Sequence, residues 1–202
     1  KSLEICCMHL DNGQMWIGTT TNGAYRLQLD KNELTHPILK GNITSIYQDS
    51  EGELWIGSWE EGLHHVKTDG TIEIFEYDAK NPYSISSNFV RACCEDNLGN
   101  IWIGTFNGLN RYDKSTGLFQ NHTASDAQSD GLTHSSIWCI VKDNQGTLWL
   151  GTYFGGVNYF NPEYEIYSRY MYSPIEKKGL SNPVVGRTIE DKDGNLWIGT
   201  EG

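Results

Sequence analysis

Short apolar runs alternate with polar turns along the whole chain, and one of these runs returns five times. In its fullest form, at residues 191–200, an Asp-Lys-Asp-Gly turn is followed by Asn-Leu-Trp-Ile-Gly-Thr. The tryptophans of successive copies are 39, 47, 47 and 48 residues apart. They are Trp16, Trp55, Trp102, Trp149 and Trp197. A period of this length indicates a repeat architecture in which each copy is one supersecondary unit.

Each copy predicts a small antiparallel sheet. The Asp-x-x-Gly segment favours a tight turn, because the Asp side chain can accept backbone hydrogen bonds and Gly tolerates positive φ. One β-prone run precedes the turn, as at residues 43–47, and another follows it. A third run and a fourth come after further turns, as at residues 108–113 and 118–122. Four strands in about 47 residues are typical of one β-propeller blade.

The sequence therefore predicts an all-β fold, a single β-propeller fragment over residues 1–202. It would contain four four-stranded antiparallel blades and the first half of a fifth. The predicted blades cover residues 3–40, 41–86, 87–132 and 133–180, with the partial blade at 181–202. We expect the chain to be an excerpt of a longer protein, because it begins within a predicted strand and ends directly after a motif.

Composition excludes two classes of partner. The chain has 15 Lys and Arg residues against 26 Asp and Glu residues, which gives a net charge of −11. Nucleic acids and anionic membrane surfaces favour proteins with an excess of basic residues, so we expect neither as a partner of this segment. No apolar run approaches the roughly 18 residues that a membrane helix needs.

The cysteines and histidines lack the spacing of redox or metal sites. The five cysteines form no Cys-x-x-Cys pair, and the six histidines form no His-x-x-x-His pair. Counted back from the motif Trp, Cys6 and Cys139 share one position, and Cys7 and Cys93 share the next. This pattern favours small buried strand residues. We predict no metal and no cofactor.

The recurring turn carboxylates favour a structural role over a catalytic one. A catalytic acid–base pair needs two carboxylates in different environments at one place, whereas these recur in every blade but the first. In the first blade the turn, Asp11-Asn12-Gly13, is one residue shorter. The recurring residues are Asp49, Asp96, Asp143 and Asp191. We predict no catalytic residue in this chain.

A candidate ligand surface follows the motif in three blades. The connection after the second strand is aromatic there, and aromatic planes stack on the C–H faces of sugars while nearby amides and carboxylates bind the hydroxyl groups. The aromatic residues are Trp59, Phe106, Tyr153 and Phe154, and the polar ones are Glu60, Glu61 and Asn107. The sequence therefore predicts a carbohydrate surface. The alternative is that these rings cap the core between blades.

Two arginines are candidates for an acidic ligand. Arg91 and Arg187 lie in the predicted inner strands of blades three and five. Their planar guanidinium groups could hold a carboxylate or sulfate through parallel hydrogen bonds. The alternative, which the acidic composition favours, is that each arginine pairs with a neighbouring acid such as Glu95 or Glu190.

The repeats resemble a known family. The Asp-x-x-Gly-Asn-Leu-Trp-Ile-Gly-Thr motif, the Gly-Leu-Asn-Arg-Tyr-Asp strand at residues 108–113 and the Leu-Ser-Asn-x-x-Val segment that starts at Leu180 are similar to the two-component regulator propeller. That resemblance implies the periplasmic sensor of a hybrid histidine kinase–response regulator of gut commensal bacteria. In such sensors two seven-bladed propellers and an immunoglobulin-like domain precede a membrane helix.

The resemblance also implies a ligand and an assembly. Such sensors recognise oligosaccharides and act as dimers anchored in the inner membrane, so the histidine kinase of the parent protein would lie outside this segment. An unclosed array of blades exposes sheet faces and edges, and we expect an open arc or a self-associated pair of arcs. Two alternatives remain open. One is part of a propeller polysaccharide lyase or glycosidase with its catalytic residues elsewhere, and the other is a scaffold that binds only proteins.

Overall fold

The computed structural model describes residues 4–35, 37–124, 131–162, 166–173 and 179–201. Residues 3 and 202, where the first predicted blade begins and the last ends, lie outside these ranges. Within the described residues the strands form four four-stranded antiparallel sheets and one two-stranded sheet, each a simple meander. This confirms the predicted all-β architecture of four blades and half of a fifth.

The first two blades contain eight strands. Blade one has β1 (Ile5–Asp11), β2 (Gln14–Thr19), β3 (Ala24–Gln28) and β4 (Glu33–Leu34). Blade two has β5 (Ile43–Gln48), β6 (Leu54–Ser58), β7 (Leu63–Val66) and β8 (Ile72–Phe75).

The remaining blades follow the same order. Blade three has β9 (Val90–Glu95), β10 (Ile101–Thr105), β11 (Gly108–Asp113) and β12 (Leu118–His122). Blade four has β13 (Ile137–Lys142), β14 (Leu148–Thr152), β15 (Val157–Asn161) and β16 (Ile166–Tyr170). The partial blade has β17 (Val185–Glu190) and β18 (Leu196–Thr200). The first strands of successive blades lie side by side, so β1, β5, β9, β13 and β17 form the inner row of the array.

No helix in the described part of the chain is long and apolar enough to cross a membrane.

Each of the four full-length motif turns is closed by its aspartate. In blade two, Asp49 Oδ1 accepts the backbone amides of Glu51 and Glu53 at 3.0 and 2.9 Å, and Oδ2 accepts the indole N–H of Trp55 at 2.9 Å. The same indole bond recurs from Trp102 to Asp96 at 2.7 Å, from Trp149 to Asp143 at 2.8 Å and from Trp197 to Asp191 at 2.8 Å. The recurring carboxylates therefore have the predicted structural role.

The shorter turn of blade one changes this arrangement. Asp11 pairs directly with Gln14, and the two residues between them, Asn12 and Gly13, have φ of 41° and 80°. Positive φ at both central residues is the geometry of a two-residue hairpin turn. Trp16 instead has the guanidinium of Arg26 5.9 Å from its ring centroid.

Neighbouring blades interlock at the motif glycine. A Cβ atom added to Gly57 would lie 2.8 Å from Val90 Cγ1, and one added to Gly104 would lie 2.7 Å from Ile137 Cγ2. Equivalent contacts join Gly18 to Ile43 and Gly151 to Val185. All four β-branched residues are fully buried, at 0% exposure. The glycine between Ile or Leu and Thr or Ser thus makes room for the first strand of the next blade.

The cysteines are strand residues without disulfides. Cys93, Cys94 and Cys139 are buried, Cys6 and Cys7 are half-buried, and all five thiols are free. Burial raises the pKa of Cys94 to about 11. The equivalence of Cys6 and Cys139 expected from the sequence is wrong, because Cys7 pairs with Gly18 as Cys139 pairs with Gly151. Because the turn of blade one is one residue shorter, equivalent positions in its inner strand lie one residue closer to the motif Trp than in the other blades.

We predict that Gly104→Ala destabilises the protein by about 1–3 kcal/mol, the usual range for overpacking a filled core. The reason is the contact with Ile137 described above. The free energy of unfolding can be followed by circular dichroism in urea. Gly199→Ala is the matched control, since its added Cβ would find nothing nearer than the Arg187 carbonyl oxygen at 3.5 Å. Equal losses in both variants would contradict this role of the glycine.

Candidate ligand-binding site

The inner strand of every blade has a bulge at the same place. In blade two Ile43 pairs with Ser58 and Ser45 with Gly57, so Thr44 between them has no partner in the ladder. A bulge turns one side chain away from the regular alternation of the strand and often lies near a site. The five bulged residues are Cys6, Thr44, Arg91, Trp138 and Gly186.

All five bulged residues line one cavity of about 420 Å³, which we call the axial cavity. Its other lining residues are Asn42, Ile43, Trp59 and Arg187. All five blades contribute, because each inner strand brings its own bulge to the same place. The volume lies within the range of small-molecule sites, about 300–1,000 Å³.

Arg91 lies in a cage of aromatic rings. Its guanidinium carbon is 4.1 Å from the ring centroid of Trp138, 5.3 Å from that of Trp59 and 5.6 Å from that of Phe106. Rings at these distances attract a cation through their negative faces. Burial lowers the pKa of Arg91 below its ordinary value. The cage therefore holds the guanidinium in place while it removes water from it.

Neither arginine pairs with an acid in the described part of the chain, so the favoured pairing with Glu95 or Glu190 is wrong. Glu95 accepts the amide of Ser50 at 2.7 Å and the ammonium of Lys114 at 3.4 Å. Glu190 accepts the amide of Asn144 at 3.1 Å. Both acids thus bind the turn of the preceding blade instead of an arginine.

Several donors beside the cavity have no acceptor. The bulged side chains of Cys6 and Thr44 donate to the carbonyl oxygens of Ile43 and Val90, at 2.6 and 2.5 Å. Arg91 and Trp138 occupy the same position, yet Arg91 Nε, Arg91 Nη1 and Trp138 Nε1 are buried without a hydrogen-bond partner among the described residues. Buried donors of this kind are costly unless something accepts from them.

The aromatic connections are held by the last residue of the second strand. The hydroxyl of Ser58 donates to the Gly62 carbonyl at 2.9 Å, and the amide of Trp59 donates to the Asn42 carbonyl at 2.9 Å. The equivalent Thr105 and Thr152 hydroxyls donate to Gly108 and Gly156. Each connection is therefore a closed loop that fixes the direction of its ring.

The rings of these connections meet around the cavity. Phe89 lies 5.5 Å from Trp59 and 6.0 Å from Phe106 between ring centroids. On the other side Tyr153 stacks on Trp138 at 5.6 Å and an interplanar angle of 15°. Phe106 and Tyr153 thus do not line the cavity themselves but contact residues that do, Arg91 and Trp138 respectively. Together these rings form a belt on both sides of Arg91.

The predicted polar residues lie outside the cavity. Of the predicted site residues, Trp59, Arg91 and Arg187 line it. Glu60 and Asn107 are exposed in their connections and do not line it. Phe154 is exposed and packs on Tyr153 at 4.3 Å. Sequence reasoning did not include Trp138, although its position, eleven residues before the motif Trp, is the same as that of Arg91.

A second cluster lies at the turn end of blade two. Asp49, Glu53 and His65 bring potential metal ligands within 4.8 Å of one another. Each is already used, since His65 Nε2 contacts Glu53 Oε2 at 2.6 Å, and Asp49 Oδ2 accepts both Trp55 and Lys114. His65 also stacks on Trp55 at 3.9 Å. This cluster is explained by the packing of the turn.

Comparison with known proteins assigns the repeats. The model of the two-component regulator propeller matches residues 37–60, 84–107, 131–154 and 179–202. The matched segments, which lie in blades two, three and four and in the partial blade, are two-component regulator propeller repeats. The first three matches each contain the inner strand with its bulge, the motif and the aromatic connection that follows it. No curated protein matches the chain at a significant level.

Solved structures share the fold of this propeller. The extracellular domain of BT3049 from B. thetaiotaomicron, described as a hybrid two component system, has a TM-score of 0.80 at 18% identity. That of BT4673 from the same organism has a TM-score of 0.77 at 23% identity. These matches cover 99% and 98% of this chain but only 28% and 26% of those domains. Virginiamycin B lyase from Staphylococcus aureus has a TM-score of 0.72 at 14% identity, over 97% of this chain and 63% of the lyase.

We predict that the propeller loses stability in acid partly through Asp49. Burial would raise the pKa of Asp49, but the hydrogen bonds from Trp55 and Lys114 outweigh it and lower that pKa overall. A lowered pKa in the folded state contributes stability above the unfolded value, about 4, and loses it as the pH falls through the folded value. Urea denaturation between pH 7 and pH 2 measures this effect.

Asp49→Asn should lower the free energy of unfolding at pH 7 by about 1.5–3 kcal/mol, because it weakens charge-assisted hydrogen bonds. Its stability should then change less between pH 5 and pH 2 than that of the unchanged protein. Asp193→Asn, at an exposed position in the turn of the partial blade, is the control. An unaltered acid dependence in Asp49→Asn would contradict the prediction.

Proposed function

We propose that this propeller segment senses a ligand in the periplasm as part of a hybrid two-component system. The ligand is an oligosaccharide that binds in the axial cavity. The parent protein is anchored in the inner membrane, acts as a dimer and carries the histidine kinase outside this segment. Support for a sensing role comes from the repeat family and from the extracellular domains that share the fold.

The observation that carries the proposal is the convergence of five bulges on one cavity. Five blades each contribute one residue. Four of these carry side chains of different chemistry, a thiol, a hydroxyl, a guanidinium and an indole, and the fifth is a glycine. A packing role would favour similar apolar side chains at equivalent positions of a repeat. The variety is therefore typical of a surface shaped for a ligand.

The ring belt supports a carbohydrate as that ligand. Trp59 and Trp138 both line the cavity, and Trp59 is 39% exposed. Indole planes offer stacking surfaces to the C–H faces of sugars, and the Asn42 amide and Thr44 hydroxyl lie among the lining groups. This pairing of planes and polar groups is what a sugar ring requires.

The chemistry of the lining favours binding over catalysis. The described residues that line the cavity include no carboxylate and no imidazole. General acid–base catalysis relies most often on such groups. Virginiamycin B lyase shares the propeller fold at 14% identity, which is a likeness of fold alone.

Removal of either indole should weaken glycan binding. We expect Trp59→Ala and Trp138→Ala each to reduce the affinity for a bound oligosaccharide by about threefold to tenfold, the usual range for one aromatic contact. Isothermal titration against a panel of neutral and acidic oligosaccharides measures this change. Tyr83→Ala is the control, since Tyr83 is 57% exposed and lines a different cavity at the outer side of blade three.

The same panel separates the alternatives. Binding without product formation supports the sensing role. Formation of a cleaved product would overturn it in favour of a propeller enzyme. Failure of every glycan to bind would overturn it in favour of a protein-binding scaffold, and equal losses in Tyr83→Ala and the two indole variants would remove the axial cavity as the site.

A further inference from the structure

The axial cavity has a positive lining in an acidic protein. Arg91 and Arg187 both line it, whereas the chain as a whole carries a net charge of −11. Among the described residues, no acid lies within ion-pair distance of either arginine. Arg91 is half-buried and Arg187 is exposed. A half-buried guanidinium that has lost part of its hydration is stabilised by a counter-ion. The missing partner at Arg91 therefore needs an explanation.

The side-chain groups beside the cavity that lack a hydrogen-bond partner among the described residues are all donors. Arg91 Nε, Arg91 Nη1 and Trp138 Nε1 are all N–H donors, and all three are buried without an acceptor in the part of the chain that the structure describes. Thr44 at the equivalent position of blade two donates to the Val90 carbonyl and so needs nothing further. The donors of blades three and four thus require an acceptor that the described part of the chain does not supply.

The aromatic cage holds the charge but cannot satisfy its hydrogen bonds. The faces of Trp138, Trp59 and Phe106 all attract the cation. Ring faces offer no lone pairs, so Arg91 Nε and Nη1 have no acceptor among the described residues. A planar carboxylate or a sulfate group presents oxygens at the spacing that a guanidinium fork binds.

We propose that the axial cavity is specific for an anionic ligand, an oligosaccharide that carries a carboxylate or sulfate group, and that Arg91 and Arg187 bind this group. A sugar ring stacks on Trp59 beside it, while Trp138 holds the Arg91 guanidinium in place. This inference rests on the proposed function of the cavity as a glycan site and adds the chemical class of the glycan. The acidic surface of the protein then excludes anions elsewhere.

The test compares ligands that differ only in charge. Isothermal titration with the complete chain would use a uronic acid oligosaccharide, its neutral counterpart of equal length and a sulfated derivative of the neutral one. We expect the acidic ligands to bind and the neutral one to bind at least about tenfold more weakly, as for the loss of a charged hydrogen bond. The uronic acid and the sulfated ligand distinguish the two sources of negative charge.

Substitutions of the two arginines test whether each binds the anionic group of the ligand. Arg91→Gln should weaken binding of the acidic ligand by about tenfold to a hundredfold. Arg91→Lys should recover part of that loss, because it restores the charge without the planar fork. Arg187→Gln tests the second arginine. Arg169→Gln removes the same charge from an exposed position on the outermost strand of blade four and should leave affinity unchanged.

The outcomes distinguish this inference from the proposed function. Equal binding of neutral and acidic ligands, unaffected by Arg91→Gln, would overturn the anion specificity and leave the glycan-sensing role in place. Absence of binding by every ligand would overturn both. If Arg91→Gln does not fold, Arg91→Lys and Arg187→Gln decide, since full affinity for the acidic ligand in both would also overturn the specificity.

Discussion

The structure depends on one steric constraint, the absence of a side chain at the motif glycine. The first residue of the inner strand of the next blade fills the space that a Cβ atom would occupy. In the four later blades this residue is Ile43, Val90, Ile137 or Val185. This contact sets how closely neighbouring inner strands approach. The bulge lies directly after that residue in each inner strand, so the same contact also places Thr44, Arg91, Trp138 and Gly186 around the cavity. The packing of the blades and the geometry of the site therefore have one origin.

The fold could be predicted from the sequence because its signals are local. The Asp-x-x-Gly turn, the tryptophan that bonds back to its Asp and the glycine that follows lie within ten residues of one another. Even the exposed copy in the partial blade, where Trp197 is 63% exposed, retains the indole bond to Asp191. This hydrogen bond forms without contacts from a neighbouring blade. The repeat can therefore be recognised in a single sequence.

The site was less predictable because it depends on register and on distant partners. A bulge adds one residue to a strand, and nothing in the residue types at 44, 91 or 138 marks it. The shorter turn of blade one displaced Cys6 by one position in the count, although the structure places it with Arg91. The expected pairing of Arg91 with Glu95 failed for a related reason. Glu95 is engaged across the blade boundary by Ser50, which is 45 residues away in sequence, and within its own blade by Lys114.

The two ends of each blade have different roles. The turn end stabilises the fold, and the end with the bulge faces the proposed ligand site. At the turn end every full-length turn repeats the same carboxylate–indole bond, so little variation is tolerated. At the opposite end the bulged side chain faces a cavity instead of a packed neighbour, and five different residue types occupy that position within one chain. Because loops and bulges held by a rigid scaffold can vary without loss of the fold, recognition is expected where the packing is least restrictive.

The local charge of the cavity outweighs the net charge of the molecule at short range. At physiological ionic strength, exposed charges are screened beyond about 8 Å, so most of the 26 acidic residues have little influence on a bound anion. Arg91 acts within its aromatic cage, where screening by water is reduced and hydrogen bonds to a charged group are stronger. The overall negative charge mainly slows the approach of an anion, whereas the caged guanidinium slows its departure. Selectivity for an anionic ligand therefore requires only that its negative group reach Arg91.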